Sequence, residues 1–389
     1  MKRNLMIIAA TLIAGVLTSC GDGTVLEQNT QLPAKLEIKL LGSTSTKGLL
    51  AAPARSHSVL PTGTGDISDA SEGNINRITV GVFNATTGQT DVIKEITTLG
   101  AGNTLSITAT KGDCEIIVVA NAPADYFTNV ATKTDYLNKL VSLDVTKSST
   151  SGQLTTNLPM SGQALNASLS STITLSATTT TSVNVELKRL VSRVSIAKVT
   201  NSFDAAGLYA GSTFTPTGIF LYQAKTSSNW AVGGILPITS GSGQGELGVA
   251  TNNVPYLGET VNDYTIATGL FANPYYFYTF DNNSAIAPTK LVIKGIYTDK
   301  DGASKTVYYP IIINKAQAGT TLYKDGTDVS NAYTTYTGFI ERNKCYALSA
   351  NIKGPGSTGP DVDITPADIS LTVSVAAWEM DITQDVTFE

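Results

Sequence analysis

Few side chains in this chain of 389 residues could carry chemistry. Its one histidine, His57, lies in a stretch rich in Ser, Pro and Gly, which offers an imidazole neither a catalytic partner nor fellow metal ligands. Serines beside glycines are common, yet no Gly-x-Ser-x-Gly elbow precedes a histidine, so a serine nucleophile has no base. Asp299-Lys300-Asp301-Gly302 and Asp325-Gly326-Thr327-Asp328 are fragments of a calcium-loop pattern that lack the distal Glu, and the same strings are Asp-Gly turn signals. The run Tyr275, Tyr276, Phe277, Tyr278 and Phe280 could stack on sugar rings or simply fill a strand. No carboxylate pair is set by spacing for glycoside hydrolysis. The expectation is a non-enzyme with no cofactor and no metal site. With 31 Asp+Glu against 26 Lys+Arg, a formal charge of −5 and no basic run, nucleic acid is not an expected partner.

One cysteine is different. Residues 1–20 read MKRNLMIIAATLIAGVLTSC, with two basic residues, an apolar run and small residues ahead of Cys20. This is the layout of a secretory signal, too short for a stable membrane span. Leu17-Thr18-Ser19-Cys20 resembles the lipobox of bacterial lipoproteins, in which the Cys is acylated and becomes the new N-terminus. Two or three acyl chains would anchor the protein firmly, at about 0.8 kcal/mol per buried methylene. Cys114 and Cys345 are read as small apolar residues inside strands rather than as a disulfide.

The elements that position these residues are strands. Period-two alternation bounded by Gly, Pro, Asn and Ser recurs throughout, and no stretch of a dozen residues carries a convincing helical stripe. Leu36, Ile38 and Leu40 share one face of a strand and Lys35, Glu37 and Lys39 the other. Residues 115–120 are apolar on both faces and belong in the middle of a sandwich. Residues 291–297 and 307–313 flank the turn at 299–302 as a hairpin. Short helical turns are expected near 126–141, with Tyr126, Val130, Leu137 and Val141 on one side. Apolar parity is odd at Val183, Val185 and Leu187 and mostly even at Leu190, Val194 and Ile196, so the chain bulges or changes cores at Lys188-Arg189. The Ser/Thr-rich stretch 148–182 is taken as edge strands and loops, because Ile173 and Leu175 still alternate.

Several strings occur in a fixed order: INRITVGVF (75–83), VVANA (118–122), LPMSG (158–162), VELKRLVSRV (185–194), YFY (276–278), YYP (308–310), ERNKCY (341–346), IKGPG (352–356) and AW (377–378). Together with the lipobox, they make the chain resemble the Bacteroidales fimbrillin family, the FimA/Mfa-like pilins of type V pili. The resemblance implies an all-β chain of two tandem transthyretin-like β-sandwich domains. With the signal segment and the parity switch at Lys188-Arg189, it suggests a signal peptide (1–19), a pro-segment with the first strand (20–55), an N-terminal domain (56–188) and a C-terminal domain (189–389). It also implies an outer-membrane lipoprotein precursor that an arginine-specific surface protease cuts in the loop after the first strand. Removal of that strand opens a groove, which another subunit fills in the cell-surface fimbrium. Lys47 and Arg55 both lie in that loop; Arg55-Ser56 is the favoured bond, since Arg suits the protease and the surrounding Ser, Gly and Thr suit exposure.

The strand expected to leave carries Leu36, Ile38 and Leu40. The expected donor is the C-terminal tail, where Trp378, Met380 and Ile382, then Val386 and Phe388, alternate, with 369–376 as its first half; the alternative is that the entire tail is a terminal strand of its own domain, the arrangement expected in an isolated precursor. The partners expected are copies of this chain and other pilins, the protease, the lipid anchor, and host or bacterial surface ligands. A non-polymerising surface lipoprotein adhesin, or a pilus tip or anchor subunit that binds glycan or protein, is the alternative.

Overall fold

The structure, a computed structural model, describes residues 32–42, 70–142, 157–225, 227–230, 257–261, 264–265, 267–364 and 368–377. The first half holds β1 (Pro33–Leu41), a 3-10 turn (Ala70–Gly73), β2 (Ile78–Asn84), β3 (Thr90–Ile96), β4 (Thr104–Thr110) and β5 (Gly112–Ala120). After these come α1 (Lys133–Asn138), β6 (Leu140–Ser142), β7 (Met160–Gln163), β8 (Ile173–Leu175), β9 (Thr181–Glu186) and β10 (Lys188–Arg189). The second half opens with β11 (Val191–Asn201), β12 (Thr213–Tyr222), β13 (Ser227–Asn229), β14 (Leu257–Thr260), β15 (Tyr264–Thr265) and β16 (Leu270–Phe280). It closes with β17 (Lys290–Thr298), β18 (Ser304–Ile312), β19 (Thr320–Lys324), β20 (Thr327–Asp328), β21 (Lys344–Ile352) and β22 (Ile369–Ala377).

Each half is a β-sandwich. In the first, the sheet β4-β1-β9 faces the sheet β10-β7-β5-β2-β3, with β8 added alongside β5. In the second, the sheet β15-β16-β11-β21-β22-β19-β20 faces β14-β12-β17-β18. Both halves repeat one motif, in which the first strand lies between an antiparallel and a parallel neighbour: β1 between β4 and β9, and β11 between β16 and β21.

Local pattern explains most of these elements. In β5, Ile116, Ile117, Val118 and Val119 are all buried, as befits a strand paired on both sides and covered on both faces. The expected hairpin is β17–β18, with Thr298 opposite Ser304. Ile173 and Leu175 are buried in β8, so at least this part of the Ser/Thr-rich stretch is strand. The short helical turns expected near 126–141 are a turn at 124–129 and the six residues of α1, capped by Thr132, whose Oγ1 accepts from Asp135 N at 3.1 Å. Upstream, Asp125 (φ 57°) and Asn129 (φ 61°) are left-handed, which breaks any longer helix into turns.

At the parity switch the chain leaves one sheet and enters another: β9 pairs with β1, β10 with β7, and β11 with strands of the second sandwich. Gly162 of the LPMSG string lies against this crossing, where a Cβ would meet Glu186 O at 2.2 Å, so only glycine permits the approach.

Candidate functional site

The site with functional potential is the seat of β1. Ala34, Leu36, Ile38 and Leu40 point inward and are buried to 2% exposure or less, while Lys35 and Lys39 face solvent. They pack in a core that includes Leu105, Ile107 and Ala109 from β4, Val185 from β9, and Leu187 beyond it. Leu36 lies opposite Ile107 in the antiparallel ladder and opposite Thr181 in the parallel one. At the ends, Lys111 N donates to Leu32 O (2.8 Å), Leu40 N to Asn103 O (3.0 Å) and Leu187 N to Leu41 O (3.0 Å). Burying Leu36, Ile38 and Leu40 is worth roughly 5–9 kcal/mol at the upper bound.

Topology gives the seat its character. Because β1 is the middle strand of three, β4 and β9 meet only through it within that sheet. Taking β1 away would leave two facing hydrogen-bonding edges about 10 Å apart, twice the usual strand spacing, above a row of empty apolar pockets.

At the other end of the chain, β22 is an internal strand, antiparallel to β21 and parallel to β19. Ile369, Leu371, Val373 and Val375 are buried on one face, so 369–376 is a resident strand of its own sandwich here. Its root at Asp368 accepts hydrogen bonds from Lys353 N (2.8 Å) and Gly354 N (3.0 Å). A cavity of about 250 Å³ lies beside this root, lined in part by Pro310, Ile312, Thr320, Ile369 and Leu371. Cys20, Lys47, Arg55, Ser56, Trp378, Met380, Ile382, Val386 and Phe388 lie outside the described residues.

The other chemical candidates have structural occupations. Asp299 Oδ1 accepts from Asp301 N and Ala303 N, both at 2.9 Å, within its own hairpin turn. Asp328 Oδ1 accepts from Ser330 N and Oγ, which hold its carboxyl below the usual range. Phe277, Tyr278 and Phe280 are buried in β16, while Tyr275 and Tyr276 are half-buried, so the aromatic run fills its sandwich rather than offering an open platform. Cys114 is buried and Cys345 half-buried, and both are free thiols. Two groups carry no local signal in the sequence: Trp230, which packs on Phe127 of the first half, and Glu72, which pairs with Arg193 of the second.

The first sandwich thus carries its N-terminal strand β1 as the central strand of a three-stranded sheet, and comparison with known proteins places the chain more closely. Residues 34–189 match the family described as major fimbrial subunit protein (FimA). Residues 242–378 match the C-terminal domain of FimA-like major fimbrial subunit proteins. The chain belongs to the FimA-like fimbrillin family. The major fimbrium subunit FimA type-3 of Porphyromonas gingivalis is 27% identical over 234 residues, 50% of this chain and 56% of that protein. The type-2 subunit from the same organism is 28% identical, over 50% of this chain and 55% of its own length. The chain thus spans a little over half the length of these relatives. In structure, a fimbrilin (FimA) from Porphyromonas gingivalis W83 superimposes with a TM-score of 0.58 over 90% of this chain and 99% of its own, at 20% identity, a likeness of fold.

Proposed function

We propose that this chain is a structural subunit of a cell-surface fimbrium and polymerises by exchanging β1 for a strand of the next subunit. The observation that carries the reading is the place of β1: central in its sheet, buried through alternate residues, and followed by the stretch 43–69 that holds Arg55. Export and acylation at Cys20 deliver the precursor to the outer membrane. An arginine-specific protease then cuts Arg55-Ser56. Before the cut, the covalent tether keeps β1 at high effective concentration over its seat, and the subunit stays monomeric. After it, β1 is held by noncovalent contacts alone.

The replacement strand inherits the constraints of the seat. It runs antiparallel to β4 and parallel to β9, as β1 does, and sets apolar residues at every second position. Trp378, Met380 and Ile382, or Val386 and Phe388, offer that spacing. The tail follows Ala377, which lies opposite Lys344, next to the start of β11 and so near the first sandwich. For a neighbour docked at the far pole of the second sandwich, β22 must lift out as well, pivoting at Asp368. The cavity beside Ile369 and Leu371 favours that release, since less packing is lost there. Each subunit then offers one tail and accepts one, which yields an open filament rather than a ring. The adhesive partners of such a filament are ligands on host or bacterial surfaces.

The test uses the full chain and a form ending at Ala376, each treated with an arginine-specific protease. The full chain is expected to give a ladder of multimers and the shortened one to remain monomeric. A ladder from the shortened form rules out the tail as donor. Fibres whose subunits retain Leu36 overturn the exchange itself, whereas a full chain that stays uncut and monomeric favours the non-polymerising adhesin.

A further inference from the structure

Among the described residues, two separate groups of contacts stand out at the junction of the sandwiches beyond the peptide crossing at Lys188-Arg189. The first is ionic. Glu72, on the 3-10 turn ahead of β2, accepts from Arg193 Nη1 at 2.9 and 2.7 Å and from the Tyr278 hydroxyl at 2.7 Å. Its main-chain carbonyl accepts from Arg189 Nε at 3.1 Å. Glu72, Arg189, Arg193 and Tyr278 are all at least nine-tenths buried. Burial pulls the Arg189 guanidinium down to about 10 and pushes the Tyr278 phenol up. The turn itself belongs to the first sandwich: Asn121, at the end of β5, accepts from Asn76 N (2.8 Å) and donates to Asn74 O (2.9 Å).

The second contact is apolar and lies elsewhere on the junction. From the second half, β13 pairs with β6 of the first, Ser228 opposite Val141 and Asn229 opposite Leu140. The next residue, Trp230, is completely buried. Its ring stands edge-on to Phe127 at 5.9 Å, Phe127 stacks on Tyr136 at 4.1 Å, and Tyr136 meets Phe83 at 5.3 Å, inside the first core. Trp230 is therefore a side chain of one half embedded in the core of the other.

We infer that Glu72 and Trp230 form a two-point lock that makes the two sandwiches one cooperative, load-bearing unit. Charge makes the first point selective, because Glu72 sets a buried carboxylate against the buried Arg193 guanidinium and beside that of Arg189. The strand pair and the indole make the second point resist sliding as well as separation. Every residue of the lock lies at or beyond position 72, so on the reading proposed above the loss of β1 leaves it whole. A subunit whose seat has been emptied then keeps its first sandwich braced against its second while it waits for a strand.

The experiment is calorimetry of the uncut full chain, with native-state hydrogen exchange on β5 and β16, and so does not depend on processing or assembly. Wild type is expected to melt in one transition, with both strands losing protection together. A variant carrying Glu72→Gln and Trp230→Ala is expected to melt in two transitions, with β5 exposed before or after β16 rather than with it. If that variant does not fold, Glu72→Gln with Tyr278→Phe, which keeps the volume of the site, is expected to show the same loss of coincidence. Two transitions in the wild type, or one unchanged transition in the variant that folds, overturns the lock. Failure of the multimer ladder with an intact lock would count against strand exchange alone.

Discussion

Leu36, Ile38 and Leu40 are buried in a sheet that their own strand holds together, and other side chains are buried just as deeply for different ends. The Cys114 thiol is pushed up to about 12, first by desolvation and then by Asp91, Asp113 and Glu115. Burial likewise raises the phenols of Tyr136, Tyr309 and Tyr346. These groups ionise first in the unfolded chain, so the stability tied to their neutral forms is complete below their ordinary values and is lost as pH rises past them. The urea midpoint is therefore expected to hold steady up to about pH 8.5 and to fall beyond about pH 9–10, the ordinary Cys and Tyr ranges. Equilibrium unfolding at about pH 8 and about pH 10.5 measures this, and an unchanged midpoint contradicts it. Alkylation followed by peptide mapping should find Cys114 unmodified in the folded chain at about pH 8.5.

Elements built on period-two alternation were readable in advance, because that signal is local. Strands β1, β5 and β22 and the β17–β18 hairpin fall where Leu36-x-Ile38-x-Leu40, the apolar run at 115–120, Ile369-x-Leu371-x-Val373 and the Asp-Gly turn place them. The stripe through Tyr126 and Leu137 gives the short turns its length suggested, a turn at 124–129 and the six residues of α1, with the left-handed Asn129 between them. Partner choice was less readable: nothing in the sequence says that β1 joins β9 in parallel, or that β6 finds β13 of the other half. The register of β1 gives a direct way to test its mobility. Leu40 bonds Asn103, so Glu37 and Ser106 occupy the alternate, non-hydrogen-bonded position, where side chains approach more closely and a disulfide is accommodated. Glu37 is half-buried and Ser106 exposed on the outer face, so Glu37→Cys with Ser106→Cys leaves the core contacts untouched. Under oxidising conditions the doubly substituted chain should be cut by the protease yet form no multimers, and a reductant should restore assembly. Multimers that form with the bond intact would mean that β1 stays in place during assembly.

At the scale of the molecule, several of the strings that gave the resemblance gather at the junction of the two sandwiches, while YYP and IKGPG meet each other at the far end of β21, where the Tyr309 hydroxyl donates to Gly354 O at 2.6 Å. Asn76 and Asn121 fix the turn that carries Glu72, Arg189 and Arg193 grip that residue, Tyr278 donates to it, and Asn343 Oδ1 accepts from Arg189 N at 3.2 Å. Their order along the chain could be read directly, but their meeting point could not, because the contacts join residues more than a hundred positions apart. On the strand-exchange reading proposed above, a unit with one acceptor seat and one donor tail constrains how a filament grows. A subunit that has lost β1 and also ends at Ala376 can accept a tail but cannot offer one, so it terminates growth at the end it joins. Added at one part in ten to competent subunits, it should shorten filaments to on the order of ten subunits, and doubling its share should halve that length. Mass photometry or electron microscopy of the mixtures reads the distribution. A length independent of the terminator's share would mean that subunits associate laterally or through a surface other than the β1 seat.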